Sequence, residues 1–93
     1  MKVVFSPDAN NDLSNLFAWI AKENPAAAYD MIARIAARVV RLSVPGFAEM
    51  GRAGHVESTR ELVEPPYVIV YKIFEKRSEI VVIAVFHVRQ NRG

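Results

Sequence analysis

The chain opens on Lys2, Val3, Val4 and Phe5, a short β-branched and aromatic run cut off by Ser6-Pro7, and this predicts a terminal strand. Ser6 followed by Pro7 is a helix-start signal, since serine can cap orphan amides and proline at the first helical position forfeits no hydrogen bond. The helix runs to about residue 22, because Leu13, Leu16, Phe17 and Ile20 fall at i, i+3, i+4 and i+7 on one stripe. Asp8 and Asp12 in its early turns suit the helix dipole. Asn24-Pro25 repeats the start signal. A second helix to about residue 42 collects Ala28, Ile32, Ile35, Val39 and Leu42 on its apolar face, and Asp30, Arg34, Arg38 and Arg41 on the opposite one. So short a joint forces the two helices into an antiparallel hairpin. Residues 44–54 hold one proline and three glycines without either periodicity, which predicts a loop with a turn at Pro45-Gly46.

From about Val56 the pattern becomes that of strands: 57–63, 67–74 and 80–88, separated by Glu64-Pro65-Pro66 and by Glu75-Lys76-Arg77-Ser78. Short connections make these neighbours antiparallel. The predicted fold is α+β over residues 1–93 as one domain: an N-terminal strand, an antiparallel helical hairpin, then a three-stranded antiparallel meander, with the helices on one face. The last two strands are apolar on both parities. Tyr67, Ile69, Tyr71 and Ile73 stand against Val68, Val70 and Phe74, and Ile80, Val82, Ala84 and Phe86 against Val81, Ile83 and Val85. Two helices cover one face only, so the other needs a cover: the 43–56 connection folded over it, or a protein partner. Val68, Val70 and Phe74 are the candidate partner contacts, joined by Trp19, which lies off the Leu13 stripe.

Composition narrows the chemistry. Ninety-three residues at 52% hydrophobic and 24% charged allow one core and exclude disorder. The absence of cysteine removes disulfides, thiolate catalysis and zinc fingers, and two histidines leave little for another metal site, so no cofactor or metal is expected. No apolar run is long enough for a membrane span or signal peptide, which predicts a cytoplasmic protein without membrane association. A net charge of +2 gives no bulk attraction to nucleic acid, so anion recognition must come from local clustering, for which arginine, outnumbering lysine eight to four, is suited.

Most cations sit around the meander: Arg52, Arg60, Lys72, Lys76, Arg77, Arg89 and Arg92, with His55 and His87. His87-Val88-Arg89 is the most informative group, because residues two apart on a strand share a face. That sets a proton carrier beside a fixed cation, the minimum for metal-free RNA cleavage; the ordinary meaning of such a pair is a strand cap or solvated surface. Arg60 is a candidate of the same kind, or else a cross-strand partner of a glutamate. Whether it shares a face with His87 depends on the register across Pro65-Pro66, which one residue of slip reverses. Arg34, Arg38 and Arg41 read as a solvated stripe paired with Asp30, or as a basic ridge facing a partner. His55 reads as a loop residue. Phosphate loops, nucleophile elbows and facing carboxylate pairs do not occur, so the common enzyme classes gain no support.

The order of these pieces resembles the RelE/ParE superfamily of toxins from type II toxin-antitoxin modules, and within it the ParE-like branch. The carriers are Val4-Phe5-Ser6-Pro7-Asp8-Ala9, the Pro45-Gly46 and Gly51-Arg52 loop, Thr59-Arg60-Glu61-Leu62-Val63, Pro66-Tyr67-Val68-Ile69-Val70-Tyr71 and Val85-Phe86-His87-Val88-Arg89. The resemblance implies the same fold and a cognate, ParD-like antitoxin whose C-terminal segment wraps the domain in a hetero-oligomer. Members act in two ways: RelE-like ones cleave messenger RNA on the ribosome, and ParE-like ones inhibit DNA gyrase. The meander arginine that the nucleases use on phosphate falls near Val63, which cannot bind phosphate, and their downstream tyrosine has no counterpart before Gly93, although His87 could replace it. The expectation is therefore a plasmid-stabilization type of toxin that contacts gyrase directly and is not an enzyme, with Arg52, Arg60, His87, Arg89 and Arg92 facing the target. An endoribonuclease using Arg60, His87 and Arg89 on ribosome and mRNA is the alternative, and a non-toxic antitoxin-binding domain the second alternative.

Overall fold

Both helix-start signals are realised as side-chain caps. In the computed structural model, which describes residues 1–48, 51–54 and 56–89, Ser6 Oγ accepts the Ala9 amide and Asn24 Oδ1 the Ala27 amide, each at 3.1 Å. Strand β1 (Lys2–Phe5) leads through Ser6 into helix α1 (Pro7–Ala21), and α2 (Pro25–Val40) ends in a tightened turn over Arg41–Ser43. The meander follows as β3 (Thr59–Glu64), β4 (Tyr67–Phe74) and β5 (Glu79–His87), close to the predicted limits. Before it, β2 (Arg52–Ala53) stands inside the stretch expected to be loop throughout. Two residues cannot show a period; Arg52 and Ala53 become a strand because Glu61 and Arg60 supply their partners.

These strands form a five-stranded α+β sheet of order β1-β5-β4-β3-β2, antiparallel except for β1, which lies parallel to β5. The Glu64↔Tyr67 pair closes the β3–β4 turn and fixes the register across the prolines. Arg60, Leu62, Tyr67, Ile69 and Tyr71 then lie on the helix side, and Thr59, Glu61, Val63, Val68 and Val70 on the rear. Between Val70/Tyr71 and Ala84/Val82 the β4–β5 register slips by one residue. The slip reverses parity along β5: Ile80 and Val82 face the helices before it, Val85 and His87 after it. The predicted row of Ile80, Val82, Ala84 and Phe86 on one face is thereby corrected.

The core lies between the helices and this face. Leu16 from α1, Ile35 and Val39 from α2, and Leu42 pack on Leu62, Ile69, Tyr71, Ile80, Val82 and Val85, with Leu13, Ile20 and Ile32 around them. The connection after α2 joins this side as well. Tyr71, with no exposed surface, donates its hydroxyl to the Ala48 carbonyl at 2.7 Å and accepts the Gly51 amide at 3.1 Å. The described residues of the connection lie against Tyr71 and along the β3 edge, whereas one reading of the sequence had it folded over the rear. The rear strands are nevertheless less bare than their composition suggests. Val68 is only 2% exposed between its cross-strand neighbours Val63 and Phe86, and Phe74 lies under Arg77 and Lys72, whose charges stand 4.2 and 5.3 Å from the ring centre. Long side chains of the same face provide part of the cover.

Candidate functional site

Beyond Phe5 the chain leaves the sheet edge, so β1 covers only the first half of β5. What replaces it is side chain. Ser6 continues the ladder through its amide to the Val82 carbonyl at 2.9 Å, and its hydroxyl lies 3.4 Å from the Ile83 carbonyl. One turn into α1, Asp12 Oδ2 accepts the Val85 amide at 2.9 Å. The orientation of that amide follows from the ladder: Val88 donates to the Pro66 carbonyl at 2.8 Å, so Phe86 and Ala84 address β4 while Val85 and His87 present their backbone groups to the opposite edge.

Between that edge and α1 lies an open groove of about 730 Å³, lined by Asp12, Asn15, Leu16 and Trp19 from α1, by Tyr67, and by Val85, Phe86, His87 and Arg89. Asp12, Asn15 and Trp19 recur at i, i+3 and i+7, a second stripe beside the core-facing one, which explains why Trp19 is 70% exposed. The Lys22 ammonium stands 5.6 Å from its ring centre. On the far wall the His87 ring meets Tyr67 edge-on, with centroids 5.4 Å apart. Burial pushes the Tyr67 phenol above its ordinary value of 10.0, because desolvation disfavours the phenolate.

His87 and Arg89 are adjacent, though not as two side chains of one strand. The strand ends at His87, and Arg89 sits in the following turn, where its amide donates to His87 Nδ1 at 3.0 Å. In the neutral ring that bond leaves the proton on Nε2. The Arg89 side chain is exposed, and no carboxylate pairs with it among the described residues.

The other sequence candidates disperse. Arg60 does share the helix face with His87, but it pairs with Tyr71 while His87 pairs with Tyr67 two strands away. Four residues along and two strands across separate them by roughly 16 Å. The Arg60 guanidinium also binds the Gly51 carbonyl at 3.0 Å, so it braces the loop. Arg52 lies on the rear edge, where Nη2 pairs at 3.1 Å with Glu61, a carboxylate only 5% exposed. Trp19 is on the helix side, whereas Val68, Val70 and Phe74 are on the rear, so these four do not form one surface. Arg92 and His55 lie outside the described residues. Arg34 and Arg38 turn inward to Glu64 at 2.9 and 3.4 Å, tying α2 to β3. Among the described residues no group of histidine and carboxylate side chains could hold a metal ion, and no helix is long and apolar enough to cross a membrane. The groove itself was not foreseen. The signal available was Asp12, Asn15 and Trp19 on one flank of a helix whose core stripe lies elsewhere.

A helical hairpin on a mixed five-stranded sheet is a fold shared with solved chains of ParDE and RelBE systems. The family described as ParE toxin of type II toxin-antitoxin system, parDE, matches over residues 3–92, and the chain belongs to it. A relative from Sinorhizobium fredii named "Putative toxin Y4kP" is 36% identical over 80 residues, 84% of this chain and 78% of that protein. Among solved structures, the chromosomal ParDE toxin-antitoxin system of P. aeruginosa superposes with a TM-score of 0.80 at 20% identity, covering 94% of this chain and 95% of that one. A chain of the RelBE2 toxin-antitoxin complex of Mycobacterium tuberculosis gives 0.58 at 19% identity, over 92% and 95%. The protein is thus a ParE-type toxin of a toxin-antitoxin system.

Proposed function

We propose that this toxin acts on DNA gyrase by direct protein contact, in the cytoplasm, and that a cognate ParD-like antitoxin neutralises it in a hetero-oligomer. The observation that carries the choice of target is the dispersal of the cations. Metal-free cleavage of RNA needs a proton carrier and cations converging within hydrogen-bond reach of one phosphate. Arg60 stands roughly 16 Å from His87 by strand geometry and is bound to the Gly51 carbonyl, and Val63 faces the rear. Among the described residues, a nuclease would have to work with His87 and Arg89 alone. A protein target makes no such demand, because exposed residues spread along a groove suffice for an interface. The antitoxin enters this reading through the solved neighbours, which come from toxin-antitoxin systems.

The purified chain is added to a gyrase supercoiling assay and, separately, to a translating extract read by primer extension. Lost supercoiling with intact messenger RNA is the expected result. Cleavage of mRNA that disappears in Arg89→Ala would overturn the reading in favour of the endoribonuclease, and inactivity in both assays would favour the non-toxic antitoxin-binding domain.

A further inference from the structure

We infer that the outward face of α2 is a self-association surface, on which a second copy of this chain packs its own α2 antiparallel about a two-fold axis between Ala36 and Ala37. A helix that buries one apolar face ordinarily turns charged and polar residues outward. α2 does not. Opposite its core residues Ala28, Ile35 and Val39, the outward stripe is Ala26, Tyr29, Ala33, Ala36, Ala37 and Val40, spread over roughly 100° of the helix and without a charge. All six are exposed, Tyr29 at 69% and Val40 at 62%. The Tyr29 ring is already positioned, since it meets Phe17 of α1 edge-on with centroids 4.9 Å apart. The charges of the helix, together with Arg41 in the turn that follows, lie along the flank toward β3, where Arg34 and Arg38 reach Glu64.

The order of residues along the stripe specifies the occupant. It is large toward each end and small in the middle, so a reversed second copy matches it in size: Ala36 meets Ala37, Ala33 meets Val40, and Tyr29 overlies the end where Val44 stands 45% exposed beyond the tightened turn. Alanines at the crossing let the two helix axes approach to about 8 Å, the close end of helix packing. Charge follows the same symmetry. Asp30 and Arg41 are about 16 Å apart along one helix and cannot meet within a chain. Within the chain Asp30 reaches Arg34 at 3.9 Å, and no carboxylate pairs with Arg41 among the described residues. In the antiparallel pair both charged flanks fall on one side of the contact, and Asp30 of each copy lies within about 3 Å, measured along the axis, of Arg41 of the other. Two symmetric ion pairs result. A parallel copy would set Asp30 against Asp30 and Arg41 against Arg41. The contact spans only about three helical turns, so the dimer is a weak one in the micromolar range.

Sedimentation velocity on the full chain, from about 5 µM to about 0.5 mM, reads the association directly, and the expected result is a monomer that becomes a dimer over this range. Ala36→Glu puts two like charges at the two-fold axis without touching the core, and should weaken association at least about tenfold at an unchanged melting point. Asp30→Arg and Arg41→Glu should each weaken it about fivefold, and the double swap should restore it, because the exchanged charges can meet only between copies. A chain that stays monomeric throughout, or that dimerises as well in Ala36→Glu, overturns the inference. So does a double swap no better than either single variant. Association that persists in Ala36→Glu and is lost in Trp19→Ala moves the contact to the groove, and a monomer whose gyrase inhibition is lost in Ala36→Glu gives the stripe to another protein; both also overturn it.

Discussion

Replacing Tyr71 by phenylalanine removes one oxygen from the centre of the fold and tests how the loop carrying β2 is held. The hydroxyl donates to Ala48 and accepts from Gly51, and the residue has no exposed surface. The ring keeps its packing on Ile69 and Val82, so the cost is that of the two groups left behind. Gly51 is buried, and an unpaired amide there costs about 1–3 kcal/mol; the half-buried Ala48 carbonyl can hydrate in part, adding about 1 kcal/mol. The expected loss of about 2–4 kcal/mol is a large fraction of the ~5–15 kcal/mol that stabilises a small domain. At this size it corresponds to a melting point lower by roughly 10 °C or more. Urea denaturation gives the free energy, and amide exchange localises it, with the Gly51 amide losing protection. Gly51→Ala probes the junction from the other side, since its Cβ would lie 2.5 Å from the Tyr71 hydroxyl and 2.8 Å from the Glu61 carbonyl. Because the two changes strike one contact, the double variant should cost less than their sum. A Tyr71→Phe loss under about 0.5 kcal/mol with Gly51 still protected would show that the hydroxyl does not hold the loop.

Three further substitutions test neighbouring parts of the argument. Asp12→Ala strips the Val85 amide of a charged acceptor and should cost about 1.5–3 kcal/mol, with Asp12→Asn costing about half as much; equal, negligible losses in urea melts would remove Asp12 from the edge. Glu64→Gln removes the carboxylate charge that Arg34 and Arg38 share and weakens the tie between α2 and β3, so it should cost about 1–3 kcal/mol, whereas Asp30→Ala breaks only an exposed 3.9 Å pair and should cost under about 0.5 kcal/mol. Tyr67 titrates above 10.0 in the fold, so from about that pH upward the unfolded chain loses its proton first and stability falls as pH rises toward the folded value; Tyr67→Phe should flatten that alkaline loss, and an unchanged slope would count against burial as its cause.

What the sequence reveals and what it hides divide along the range of the interactions involved. Ser6-Pro7 and Asn24-Pro25 start helices through bonds closed within three residues, so their meaning is local and readable. The limits of β4 are readable for a similar reason, because prolines on one side and a charged turn on the other bound an apolar run. The parity change in β5 is not. It arises where the β4 ladder slips by one residue and where Asp12, 73 positions earlier, takes the Val85 amide, and neither cause leaves a mark in the alternation of Ile80 to Phe86. The separation of Arg60 from His87 was hidden in the same way. They share a face, as one register allowed, yet only the Glu64↔Tyr67 closure shows that they occupy opposite ends of it. Exposed apolar surface also moved: the rear strands shield one another, and the large exposed aromatics are Trp19 and Tyr29 on the helices.

The division of β5 bears on how the proposed neutralisation would work. Its first half is closed by β1 and belongs to the core, while its second half forms a wall of the groove with His87 and Arg89 at the end. Those are the candidate target-facing residues, and they line the same groove as Trp19. A proposed antitoxin segment bound in that groove would therefore cover them directly and need not alter the fold. Occlusion of this kind makes target and antitoxin compete for one surface, so adding antitoxin should reduce gyrase inhibition in proportion to occupancy, and excess gyrase should weaken apparent antitoxin affinity by mass action. Control by a distant conformational change would instead let a ternary complex form, with gyrase retained on an inactive toxin. Sedimentation of gyrase, toxin and antitoxin together separates the two, and a stable three-component species would rule out occlusion.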